Sequence, residues 1–156
     1  MIGKRVRDSQ LVSSIMMLPE HANPMGNAHG GIIMKMVDEL GGLCAMRHAR
    51  RNVVTVVMDS MELHSPVHVG DMLTLSASVN WTGRTSIEVG VRVEAENLLT
   101  GQRTHTNTAF IVYVALDEHE KPAVVPPLIT ETPDEKRRWR EAEVRQRRRL
   151  KRQSVR

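Results

Sequence analysis

The sequence predicts an α+β protein: an antiparallel sheet wrapped around one long helix. Three observations carry this. An apolar stripe at helical spacing opens at Gly30, strict two-residue alternation follows residue 52, and the alternating runs are separated by short turns at Gly70-Asp71, Thr82-Gly83-Arg84 and Thr100-Gly101. At 156 residues the chain is long enough for one domain with a sizeable core.

Residues 1–10 are polar and predicted to be mobile. Leu11 to Leu18 reads as a first strand, ended by Pro19, and residues 19–29 as a loop rich in turn formers. From Gly30, Ile32, Ile33, Met36, Val37, Leu40, Leu43 and Cys44 recur at three- and four-residue steps, the pattern of a helix burying a broad face. Asp38 falls opposite that stripe, among Gly31, Gly41, Gly42 and Ala45. Glycine is a poor helix former, so such a face implies very close approach by a partner or ligand. Asn52 to Pro66 is predicted as a long strand. Leu73 to Val79, Ile87 to Ala95 and Arg103 to Leu116 then alternate as the strands of a meander with one buried face. Residues 117–130 form an irregular exit. Thr132, Pro133 and Glu135 open a last helix through Trp139, expected to fray after Arg145.

Composition narrows the function classes. The single cysteine, Cys44, permits no disulfide within the chain and points to a reducing, cytoplasmic compartment. Lys4, Arg5 and Arg7 precede no apolar run long enough for a signal peptide, and no stretch approaches a membrane span. Residues 134–156 hold 11 Lys/Arg against 4 Asp/Glu, whereas the other 133 residues carry a net charge of −3. The basic character therefore belongs to the tail, and nucleic acid is not the expected partner of the main domain. His21, His29, His64 and His68 match no tight metal-ligand spacing, so no metal is expected.

The chemistry concentrates between Asn23 and Asp38. Asn23-Pro24-Met25-Gly26-Asn27-Ala28-His29-Gly30-Gly31 combines a loop amide with a glycine pair opening a helix, and Asp38 follows inside it. A helix start presents unpaired N–H groups and the positive end of its dipole, and glycine lets a carbonyl approach. The backbone of Gly30 and Gly31 is thus a candidate oxyanion site, with Asp38 either to activate water or to attack the thioester itself through an anhydride.

The order N-x-x-G-x-x-H-G-G-x6-D, then four antiparallel strands, resembles the hotdog-fold acyl-CoA thioesterases. Asp59-Ser60, Pro66-Val67, Val69-Gly70-Asp71, Thr82-Gly83-Arg84-Thr85-Ser86, Val114-Ala115-Leu116-Asp117-Glu118 and Lys121-Pro122 narrow it to the acyl-CoA hydrolases with one hotdog domain per chain. The resemblance covers residues 11–128, leaving 1–10 as a flexible N-terminus and 129–156 as a basic helix and tail. It implies a hexamer built from dimers, with Asn23 and Asp38 as a catalytic pair drawn from different subunits. It also implies acyl-CoA as substrate, with coenzyme A as product and no cofactor. His29 stands where this group usually has an aromatic residue, at the acyl entrance. Arg84, Thr85, Ser86 and Arg103 are candidates for coenzyme A's phosphates. Two alternatives remain open at this point: a non-catalytic acyl-CoA-binding regulator, and a hotdog dehydratase using His29 with Asp38.

Overall fold

The computed structural model describes residues 1–59 and 65–154. Among the described residues, seven strands and two α-helices follow in order: β1 (Lys4–Arg5), β2 (Leu11–Met16), α1 (Gly30–Ala49), β3 (Val53–Met58), β4 (Met72–Thr82), β5 (Ser86–Glu96), β6 (Arg103–Ala115), β7 (Leu128–Ile129) and α2 (Pro133–Ser154). Five strands form one sheet in the order β2-β4-β5-β6-β3, every pairing antiparallel. α1 lies across one face and touches β2 through β6. Ile33, Val37, Leu40 and Cys44 of the helix meet Leu73, Leu75, Val79, Val89, Val91 and Ile111 of the sheet in a continuous core. The alternation fixes this layering, because residues two apart share a face.

Only β4, β5 and β6 form the predicted meander. β3 crosses to the far edge and pairs with β6 rather than with β4. It is also shorter than predicted: it ends at Met58, and Ser65 and Pro66 are not in a strand. Ser60 and His64 lie outside the described residues. Among the described residues β3 has one neighbour, β6, and Val54 and Val56 are exposed.

Both termini are tied down more firmly than expected. β1 pairs in parallel with β7, and Val6 and Ser9 are buried, so the segment from Lys4 to Ser9 is anchored, while Met1 and Ile2 are exposed. α2 does not stop at Arg145 but continues to Ser154, with Ala142 and Arg149 buried. Thr132 caps it as predicted, accepting from the Glu135 N–H at 3.1 Å. Cys44 is buried at the core, and burial pushes its thiol up to about 11, the state of a packing residue rather than a nucleophile.

Candidate functional site

α1 begins where its sequence changes from turn formers to apolar residues. His29 is the N-cap, in extended backbone, and its ring Nδ1 accepts the Gly31 N–H at 3.0 Å. Gly31 is therefore not a free oxyanion donor in this arrangement, a correction to the expectation from sequence. The carbonyl of His29 accepts from Ile32 and Ile33. Among the described residues the Gly30 N–H makes no hydrogen bond, so Gly30 is the donor left at the helix start. With its Nδ1 engaged as a cap, His29 is not placed to serve as a dehydratase base through that atom.

Asn23 closes the preceding loop on itself. Its Oδ1 accepts from the Met25 N–H at 2.9 Å and the Asn27 N–H at 3.2 Å, and its own N–H bonds the Asn27 carbonyl at 2.7 Å. Asn commonly organises turns this way. With Oδ1 committed, only the Nδ2 donors remain to act outward. The loop is held against the helix start by His29 N–H to the His21 carbonyl and Ala28 N–H to the Val67 carbonyl, both 2.7 Å.

Asp38 sits two turns further along α1. Its Oδ1 accepts from Thr55 Oγ1 at 2.9 Å and from the Tyr113 phenol at 3.1 Å, and that phenol also reaches the Asp38 carbonyl at 2.9 Å. Tyr113 is fully buried. Burial first, and the Asp38 charge second, hold its phenol far above the ordinary range, so it stays a donor throughout the working pH range. A carboxylate accepts hydrogen bonds when ionised, so the two hydroxyls orient Oδ1, and among the described residues Oδ2 has no hydrogen-bond partner.

The glycine face of α1 receives a different explanation from the predicted one. A Cβ at Gly41 would collide with the Tyr113 hydroxyl, and one at Gly42 would touch Tyr113 Cε1 at 3.7 Å. Within the chain, Tyr113 is the group that comes close to this face at Gly41 and Gly42.

Within the protomer no hydrogen bond joins Asn23 to Asp38. Eight residues separate Gly30 from Asp38, about 12 Å along a helix, beyond the reach of any shared reacting atom. The candidate phosphate ligands are also scattered. Ser86 begins β5 and Glu96 ends it, opposite Arg103, so the 84–86 turn and Arg103 lie at opposite ends of a strand of 11 residues, roughly 35 Å. Arg103 is moreover paired with Glu96 at 2.8 Å, while Arg84 is exposed with no ion pair among the described residues. No group of three metal-ligating side chains occurs among the described residues, and no helix there is long and apolar enough to cross a membrane.

Thr55 and Tyr113 escaped sequence reasoning. A lone hydroxyl in Val53-Val54-Thr55-Val56-Val57-Met58, and the chain's single tyrosine in the apolar run Ala109-Phe110-Ile111-Val112-Tyr113-Val114-Ala115, were the available signals.

A family model described as the thioesterase superfamily matches residues 25–101. An uncharacterized acyl-CoA thioester hydrolase of Bacillus subtilis is 36% identical over 129 residues, 83% of this chain and 75% of that protein. The cytosolic acyl coenzyme A thioester hydrolase of Rattus norvegicus is also 36% identical, over 79% of this chain, which spans only 33% of the rat protein. Among solved structures, an apo-hexameric acyl-CoA thioesterase aligns with a TM-score of 0.95 and 41% identity, covering 100% of both chains. An acyl-CoA hydrolase of Staphylococcus aureus, solved with butyryl coenzyme A, coenzyme A and coenzyme A disulfide, aligns with a TM-score of 0.90 and 30% identity over 97% of this chain and 93% of that one. The same hydrolase has been solved with alanine replacing one asparagine, one aspartate and one threonine, spaced along its chain as Asn23, Asp38 and Thr55 are here.

Proposed function

Because this chain belongs to the thioesterase superfamily, among its acyl-CoA thioester hydrolases, we propose that it hydrolyses acyl-CoA to the free acid and coenzyme A at a site shared by two copies. The carrying observation is the state of Asp38: Oδ1 is fixed by two hydroxyls, while Oδ2, without a partner among the described residues, accepts a proton from water. The water oxygen adds to the thioester carbon as its proton passes to Asp38. The carbonyl oxygen, negative in the transition state, is held by the Gly30 N–H at the positive end of α1. The intermediate collapses with cleavage of the C–S bond, and the departing thiolate takes up the proton that Asp38 received, restoring the carboxylate. Thiolate is a good leaving group, so no strong acid and no cofactor are needed; coenzyme A is substrate moiety and product.

Asn23 and the helix start would come from one copy and Asp38 from the other, with the free edge of β3 as the seam. The 12 Å separation within the protomer supports this, as do hexameric relatives of the same fold. The assembly is accordingly proposed as a trimer of dimers. Arg84, with Thr85 and Ser86, is the better candidate for coenzyme A's phosphates, since Arg103 is already paired. A cytosolic relative in the rat agrees with the reducing, cytoplasmic compartment proposed for a chain with one cysteine.

Thiol release from a panel of acyl-CoAs, followed with a disulfide dye, tests the proposal. General-base assistance contributes roughly 100- to 10,000-fold, so Asp38→Ala is expected to lose activity in that range while folding normally. Gly30→Pro removes a single N–H at the first helical position, where proline is well tolerated after an extended residue such as His29. It should cost roughly 100- to 1000-fold in kcat. Binding without turnover by the wild-type chain would overturn the hydrolase reading and favour an acyl-CoA sensor.

A further inference from the structure

The sheet face away from α1 carries a charge cluster that the reaction above does not use. Glu88 of β5 is wholly buried there. Its Oε1 accepts from Asn80 Nδ2 at 3.1 Å and Arg145 Nη2 at 2.7 Å, and its Oε2 from Arg145 Nε at 3.2 Å and Arg149 Nη2 at 2.9 Å. A carboxylate removed from water is tolerated when its lone pairs are met by charged and polar donors, and here four donors meet them. Arg145 and Arg149 lie one helical turn apart on the face of α2 that also buries Ala142. The Arg145 guanidinium sits 3.6 Å from the centre of the Phe110 ring. Two of the tail's basic residues are thus spent on docking α2, not on an external partner.

Arg149 differs from Arg145 in having a second carboxylate partner. Its Nη2 reaches Asp59 Oδ2 at 2.6 Å. Asp59 directly follows β3, and its N–H bonds the Phe110 carbonyl at 3.0 Å, extending the β3–β6 ladder by one rung. β3 is the strand proposed above as the seam between copies, and its register shifts between Thr55 and Val57. A bulge bends its strand and increases the local twist, so the direction of a side chain beside it depends on where the strand's exit is held. One end of this strand is held by a guanidinium anchored at the centre of the sheet. Thr55, whose hydroxyl orients Asp38, lies four residues before that anchor.

We propose that Arg149 of α2 is a positioning residue for the hydrolase site: by holding Asp59 it fixes the exit of β3, and with it the Thr55 hydroxyl on Asp38. The inference rests on the roles proposed above for Asp38 and Thr55. It makes the C-terminal helix part of the site's scaffold, acting across the sheet from the chemistry.

A double-mutant cycle tests it. Arg149→Ala is expected to lower kcat about tenfold with KM within about twofold, since small displacements of a catalytic group are costly while substrate contacts are untouched. In a Thr55→Val background the same substitution should cost less than about twofold, because its route to Asp38 is already gone. Arg145→Lys perturbs the same Glu88 without touching Asp59, and should leave kcat within about twofold. Amide exchange in residues 53–58, read by mass spectrometry, should quicken in Arg149→Ala and not in Arg145→Lys. That readout does not depend on catalysis, so the positioning claim and the hydrolase assignment, which wild-type turnover reports, can fail separately. Should Arg149→Ala not fold, Asp59→Asn carries the same cycle. Equal kcat losses in both backgrounds, or unchanged exchange in β3, would overturn the proposal.

Discussion

Replacing Tyr113 by phenylalanine deletes one oxygen from a fully buried ring and leaves its volume almost unchanged. That oxygen donates to the Asp38 carbonyl at 2.9 Å and to Asp38 Oδ1 at 3.1 Å. Hydrogen bonds to charged groups contribute about 1.5–3 kcal/mol, and the lower end applies because Asp38 is only half-buried. A loss of about 1.5 kcal/mol should lower Tm by roughly 3–6 °C for a chain of this size. Catalysis should fall further than stability. With Thr55 alone on Oδ1 the carboxylate can swing, and a misplaced base should cost about tenfold in kcat while KM stays near wild type. Thermal unfolding and thiol release, measured on the same preparation, give both numbers. A Tyr113→Phe protein with wild-type Tm and kcat would refute the view that this phenol orients the base.

Gly41→Ala should destabilise the chain, although alanine favours a helix by about 1 kcal/mol, because the new Cβ falls on the Tyr113 hydroxyl and overpacking costs about 1–3 kcal/mol. Chemical denaturation decides which effect wins, and a more stable Gly41→Ala protein would contradict the packing described. His48 is fully buried with Nε2 at 2.7 Å from the Pro126 carbonyl, and burial lowers its folded-state pKa below the ordinary 6.5. The unfolded chain then binds the extra proton first, so the His48 contribution is present above pH 6.5 and is lost as pH falls below it. Tm should therefore decline below that pH, and His48→Gln should flatten this part of the curve; an unchanged slope would exclude His48 as its source.

Local pattern made most of the fold legible. The helix start at Gly30 and the alternation in β4, β5 and β6 follow from residues within a few positions of one another. The long-range pairings were not legible in the same way. β3 follows α1 in sequence, yet it pairs with β6, and that crossing brings Thr55 to Asp38 beside Tyr113 of β6. The glycine face of α1 was correctly read as a close approach, but the group that approaches is a side chain 75 residues from Asp38. Charge counting set the C-terminal segment apart as a basic tail, whereas Arg145 and Arg149 belong to Glu88 and Asp59, which lie 57 to 90 residues away in sequence. In the candidate site, Asn23, Gly30 and Asp38 remain the proposed working groups. Gly31 drops out as a donor because its neighbour His29 caps the helix with the same N–H.

At the centre stands a site in which one copy's loop amide and another copy's helix carboxylate serve a single thioester. Complementation measures this directly. Asn23→Ala and Asp38→Ala chains are each prepared alone, then co-expressed and isolated as mixed assemblies. In a two-fold dimer of one chain of each kind, one site carries both substitutions and the other is intact, so random mixing restores about a quarter of wild-type turnover. Recovery near that level from two inactive parents is the expected result. Mixed assemblies as inactive as their parents would show that Asn23 and Asp38 do not meet across copies.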